Sequence, residues 1–94
     1  MQVRIKVLDL PELADLFGRR EFQFSFSGEN LKDLLQALFD RYGSALEGIL
    51  LDSRGRWNPG VQIIIKGRLC AEAVDSVPLE EGDGLAFVVL LEGG

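Results

Sequence analysis

The chain has no histidine, one cysteine, one tryptophan and three prolines among its 94 residues. Without histidine there is no Ser-His-Asp triad, no Cys–His pair and no ordinary zinc site, so no metal site is expected. A lone cysteine excludes an intrachain disulfide framework and a CxxC redox motif. Long apolar stretches are also missing. The longest runs from Leu85 to Leu91, far short of the roughly 20 residues that a membrane helix needs. Met1 to Lys6 alternates with charge and lacks the apolar core of a signal peptide. A cytoplasmic protein with no membrane partner is therefore expected. Base is absent too: no lysine or arginine follows Arg68.

What is present fits one domain. A chain of this length buries roughly 60–68% of its unfolded surface, enough for one core. At 47% hydrophobic and 27% charged it is neither disordered nor collagen-like. The net charge of −5 is unevenly placed, with +1 over residues 1–68 and −6 over residues 69–94. Nucleic acid is an unfavourable partner, because phosphate binding needs a basic footprint. An acidic final third steers toward a basic cleft on another protein, or simply forms a solvated face.

Along the chain, Val3, Ile5 and Val7 alternate with Arg4 and Lys6, which predicts a half-buried strand. Pro11 can open a short helix through Leu16 and Phe17, stopped by Gly18. Phe22, Phe24 and Phe26 predict a second strand. Asn30 is a good N-cap, and Leu31, Leu34, Leu35, Leu38, Phe39 and Tyr42 form the apolar stripe of one amphipathic helix, ended by Gly43. Ile49 to Leu51 reads as a short strand, and Trp57 as an edge cap of the core. Val61 to Ile65 is a strand with a short return over Arg68 to Cys70. Leu85 to Leu91 is a strand apolar on both faces, which belongs in the centre of a sheet beside the first strand. One helix on one mixed sheet is the economical arrangement, an α+β β-grasp or ubiquitin-like fold. Residues 1–94 form a single domain in this reading, with a flexible diglycine tail.

No side-chain constellation carries chemistry. There is no GxGxxG or GxxxxGK[ST]. Glu80 and Glu81 are adjacent in a turn, whereas catalytic carboxylates stand opposed across a substrate. Cys70 lies between apolar and small residues with no lysine or histidine evident to lower its pKa, and it reads as a structural thiol.

The end of the chain is different. Gly93 and Gly94 follow the most apolar strand with only Glu92 between. A small-residue tail is also what a frayed terminus tolerates. As a functional device, however, it suits a carboxylate that another enzyme must adenylate. Glycine has no side chain to block a narrow channel, and three residues past Leu91 reach about 10 Å. The last strand supplies a docking row. Either Ala86, Val88 and Leu90 face the helix while Leu85, Phe87, Val89 and Leu91 face outward, or the reverse. An uncovered apolar row marks a protein interface, unless the connection from Gly43 to Gly60 covers it.

These residues resemble the MoaD/ThiS family of ubiquitin-like sulfur carriers, and within it the small subunits of molybdopterin synthase. The resemblance runs from Leu13-Ala14 through Gly18, the helix Asn30 to Tyr42, and the turn Ile65-Lys66-Gly67-Arg68. Its specific part is Val77-Pro78-Leu79 with Gly82-Asp83, followed by Gly93-Gly94. Lys66 stands where the family usually has asparagine, and Leu90-Leu91 where it has a proline pair.

The resemblance implies a carrier without its own catalytic side chains. A ubiquitin-activating type of enzyme would adenylate the Gly94 carboxylate with ATP and magnesium, and a sulfur donor would convert it to a thiocarboxylate. The acceptor would be a pterin precursor of the molybdenum or tungsten cofactor, with a molybdopterin synthase large subunit as a further partner. Gly94 would then carry the chemistry, Gly93 and Glu92 would form the tail, and Phe87 and Leu91 would dock. Other readings are a modifier conjugated through Gly94, a thiamine-type or other sulfur carrier, and a non-covalent binding module.

Overall fold

A computed structural model describes residues 1–70 and 77–89 of the chain, apart from the side chain of Cys70. Its elements are β1 (Gln2–Leu8), α1 (Pro11–Phe17), β2 (Glu21–Ser25), α2 (Leu31–Tyr42), α3 (Ser44–Leu50), β3 (Val61–Ile65), β4 (Arg68–Cys70) and β5 (Gly84–Val89). The strands form one mixed sheet in the order β2-β1-β5-β3-β4. β5 runs parallel to β1 and antiparallel to β3, which makes it the central strand. A central place suits a strand apolar on both sides, since it leaves no edge open to other chains. This is the expected β-grasp topology.

Alternation decides the two faces of the sheet. Val3, Ile5 and Val7 of β1 are buried, and Gln2, Arg4, Lys6 and Leu8 are exposed. Direct partners in a sheet share a face. Ile5 pairs with Leu85 and Val7 with Phe87, so Leu85 and Phe87 also point to the core. Against them the helical layer supplies Leu31, Leu34, Leu35 and Leu38 of α2 and Leu13 and Phe17 of α1.

The α2 helix begins as the sequence requires. The Asn30 side chain accepts a hydrogen bond from the Asp33 N–H at 2.9 Å, and the Asp33 carboxylate accepts from the Glu29 N–H at 3.0 Å. These reciprocal bonds satisfy two donors at the helix start.

Ile49 to Leu51 departs from the expected strand. Residues up to Leu50 belong to α3, and Leu51 makes only an isolated bridge to Trp57. Leu46 and Leu50, four residues apart on one helical face, are both fully buried. α3 packs on α1 and α2. The sheet therefore carries three helices rather than one long helix alone, and the Gly43–Gly60 connection extends the helical layer instead of covering the outer face. Trp57 does cap an edge, its indole N–H donating to the Val61 carbonyl at 2.7 Å.

Val77 to Asp83 is a structural device that aims β5. The Leu31 N–H donates to the Val77 carbonyl, and the Leu79 N–H to the Glu29 carbonyl, each at 2.9 Å. Leu79 is buried. The Glu80 N–H donates to the Asp83 carboxylate at 2.8 Å, and the Arg4 N–H to the Asp83 carbonyl at 2.9 Å. The Pro78-Leu79 and Gly82-Asp83 pattern thus pins the loop to the start of α2 and delivers the chain in parallel beside β1.

Candidate functional site

The candidate site is the root of the tail and the open face of β5. Along β5, Leu85 and Phe87 are buried, while Ala86 and Val88 are half-buried on the opposite side. Phe87 was expected as a docking residue. It is instead fully buried in the core and lies 6.4 Å from the Phe17 ring, centroid to centroid. The reason is the register with β1: pairing with Val7 forces the ring under the helices. Its ring is not available to a partner. Leu91, Glu92, Gly93 and Gly94 lie outside the described residues.

The outward row on β5 is therefore the other of the two alternatives, Ala86 and Val88. Their neighbours on this face follow from the pairing. Val88 lies between Leu8 of β1 and Gln62 of β3, and Ala86 between Lys6 and Ile64. Ile64 in turn pairs with Leu69 of β4. Leu8 is 41% exposed and Leu69 54%, and these two are the large exposed hydrophobics among the described residues. Both sit on this outer face. Among the described residues nothing covers it.

Neither leucine was singled out from the sequence. Leu8 carried a readable signal, because it falls on the same alternation as Arg4 and Lys6. An apolar residue on the polar side of a strand is unexplained by the core. Leu69 carried none, since a three-residue strand is too short to show a period.

The electrostatics of this face differ from those of the whole chain. Arg4, Lys6 and Lys66 line a shallow trough of about 310 Å³ whose floor includes Gly84 and Ala86. Lys6 stands 3.6 Å from Glu21, and Lys66 stands 3.6 Å from Asp83 and 3.9 Å from Glu80. Arg4 has no ion-pair partner among the described residues. A larger cleft of about 490 Å³ lies at the end of β1, between the β1–α1 turn and the start of β2. Its charges are mixed, with Lys6 and Arg20 beside Asp9 and Glu21. Among the described residues no group of three His, Cys, Asp or Glu side chains is placed to hold a metal. No helix there is long and apolar enough to cross a membrane.

No protein-family model and no curated protein sequence matches the chain. Solved structures do. SAMP1 from Haloferax volcanii superposes with a TM-score of 0.76 at 23% identity, covering 100% of both chains. Urm1 from Trypanosoma brucei gives 0.68 at 25% identity, covering 99% of this chain and 95% of its own. Subunit 1 of the molybdopterin-converting factor from Helicobacter pylori, solved in a complex with subunit 2, gives 0.59 at 18% identity with 100% of both chains covered. The fold is thus that of a ubiquitin-like β-grasp protein. Its structural neighbours are a small archaeal modifier protein, Urm1 and subunit 1 of a molybdopterin-converting factor.

Proposed function

We propose that this protein is a sulfur carrier whose reactive group is the Gly94 carboxylate, acting in biosynthesis of the molybdenum or tungsten cofactor. The observation that carries the reading is a conjunction. A full-length likeness to a molybdopterin-converting factor subunit and to Urm1 is joined to the Gly93-Gly94 sequence, four and five residues beyond the end of the central strand. The chain also offers no histidine for catalysis of its own.

In this reading a partner enzyme binds the domain, and a Gly94 carboxylate oxygen attacks the α-phosphorus of ATP. Pyrophosphate leaves and an acyl-adenylate forms. A sulfide-level nucleophile then attacks the carbonyl carbon and expels AMP, leaving a thiocarboxylate. Its sulfur attacks an electrophilic carbon of a pterin precursor and displaces an oxygen leaving group. Water then cleaves the acyl carbon–sulfur bond of the resulting thioester, leaving sulfur on the pterin and restoring the Gly94 carboxylate. Glycine at positions 93 and 94 lets the backbone approach the nucleotide closely. The large subunit of a molybdopterin synthase is the partner at the last step.

Intact-mass measurement of the protein from its own cells tests this directly. The expected result is a population with sulfur in place of one terminal oxygen. A chain lacking Gly94 should keep its unfolding midpoint and receive no sulfur from an adenylating enzyme and donor. Sulfur gain by that shortened chain overturns the proposal.

The likeness to a small archaeal modifier supports a second reading, in which Gly94 ends in an isopeptide bond to lysines of other proteins. Digestion and mass analysis separate the two. Gly94 joined to lysine side chains selects the modifier, and a terminal thiocarboxylate selects the carrier.

A further inference from the structure

We infer that the trough formed by Arg4, Lys6 and Lys66 over Gly84 and Ala86 receives a carboxylate side chain of the activating enzyme, making Arg4 a specificity-determining residue. The inference rests on the carrier reading and names what that partner must present.

The argument begins with the floor. Gly84 and Ala86 are the two smallest side-chain positions on the outward side of β5, and their smallness makes a depression at the centre of the sheet. Larger residues there would fill it. On one side stand Arg4 and Lys6 of β1, the direct partners of Gly84 and Ala86. On the other stands Ile64, with Lys66 at the turn between β3 and β4. Three cations thus meet at one depression in a chain whose net charge is −5. Lys6 and Lys66 already have carboxylate neighbours: the Lys6–Glu21 pair is solvent-exposed and weak, whereas the Asp83 side chain beside Lys66 is only 12% exposed. Arg4 has no such neighbour among the described residues. Its planar guanidinium can grip a carboxylate through two parallel hydrogen bonds.

Next to this positive spot, the exposed Leu8 and Leu69 and the half-buried Val88 and Ile64 form an apolar band that nothing covers among the described residues. Apolar contact beside a cationic centre fits a protein surface that presents an acidic residue next to an apolar one. A phosphate polymer would use the cations and leave the leucines in water. The arrangement also inverts the expectation from sequence. The acidic final third suggested a basic cleft on the partner, yet Arg4, Lys6 and Lys66 line a trough on the outer face at the start of β5. The partner therefore needs acid where it meets the sheet.

The test uses the full-length chain and the adenylating enzyme from the same cells that catalyses ATP–pyrophosphate exchange on it. Arg4→Glu should raise the KM for this chain on the order of tenfold, with kcat unchanged, because rim charges act on encounter and retention. Arg4→Gln should give a smaller rise, and raising salt should weaken the wild type more than Arg4→Glu. Lys32→Glu on α2 makes the same change in net charge away from the trough and should match the wild type. Equal KM for Arg4→Glu and wild type overturns the inference and leaves the carrier reading intact, as does an equal rise for Lys32→Glu. Arg4-dependent binding of a single-stranded oligonucleotide overturns it in favour of a phosphate ligand. Failure of the wild type to support exchange removes the carrier reading, and this inference with it.

Discussion

The two faces of the sheet have different work. On the inner face Val3, Ile5, Val7, Ile63, Leu85 and Phe87 are each less than a tenth exposed and form one cluster with the helices. On the outer face Arg4, Lys6, Leu8 and Leu69 are exposed and Ile64, Ala86 and Val88 half-buried, and Arg4, Lys6, Ile64 and Ala86 line a trough. The same strand serves both: along β5 a side chain belongs to the fold at one residue and to the solvent side at the next. The contrast teaches that an apolar strand need not be apolar for one reason. Leu85 and Phe87 are hydrophobic for the core, whereas Ala86 and Val88 stand half-buried on the opposite side.

The sharpest way to break this comparison is at Phe87. Phe87→Ala removes a fully buried ring and should destabilise the protein by about 3–5 kcal/mol. Urea unfolding would show it as a lower midpoint at unchanged slope. A loss below about 1 kcal/mol would mean that the ring is not part of the core. Lys66 gives a smaller effect of opposite sign. It adopts φ 52° and Gly67 φ 78°, the two left-handed positions of a tight hairpin turn. Asparagine accepts that conformation more readily than lysine, so Lys66→Asn should stabilise by about 0.5–1 kcal/mol. The same change should weaken the trough, raising KM in the exchange assay while the thermal midpoint rises. A fall in the thermal midpoint would instead show that the ion pairs with Asp83 and Glu80 outweigh the turn. The smallest effect belongs to Val88. Val88→Thr on the outer face should change stability by no more than about 0.5 kcal/mol by urea unfolding. A larger loss would put Val88 in the core and erase the distinction between the faces.

Much of this architecture could be read from residue order. The β1 alternation, the α2 stripe with its Asn30 cap, the return strand after Gly67 and the central position of the last strand all follow from local pattern. The Ile49–Leu51 run did not reveal itself, because a short apolar stretch fits a strand or a buried helix equally well. Its helical state comes from the layer of α1 and α2 that receives Leu46 and Leu50. The docking residue on β5 was misread for a related reason. A strand apolar at every position has no period, so either parity of Leu85 to Val89 satisfies a core.

By itself, the sequence determined that no histidine chemistry resides here, that one helix stripe and alternating strands must meet in a β-grasp, and that glycines 93 and 94 follow the apolar strand. The tertiary structure alone decided which side of that strand faces out. The deciding fact is pairing: β1 has an unambiguous alternation of charge and hydrocarbon, and its register with β5 transfers that choice to a neighbour without one. Burial of Ile5 and Val7 commits Leu85 and Phe87 to the interior, and so gives Ala86, Val88 and the trough beside Arg4 to the surface.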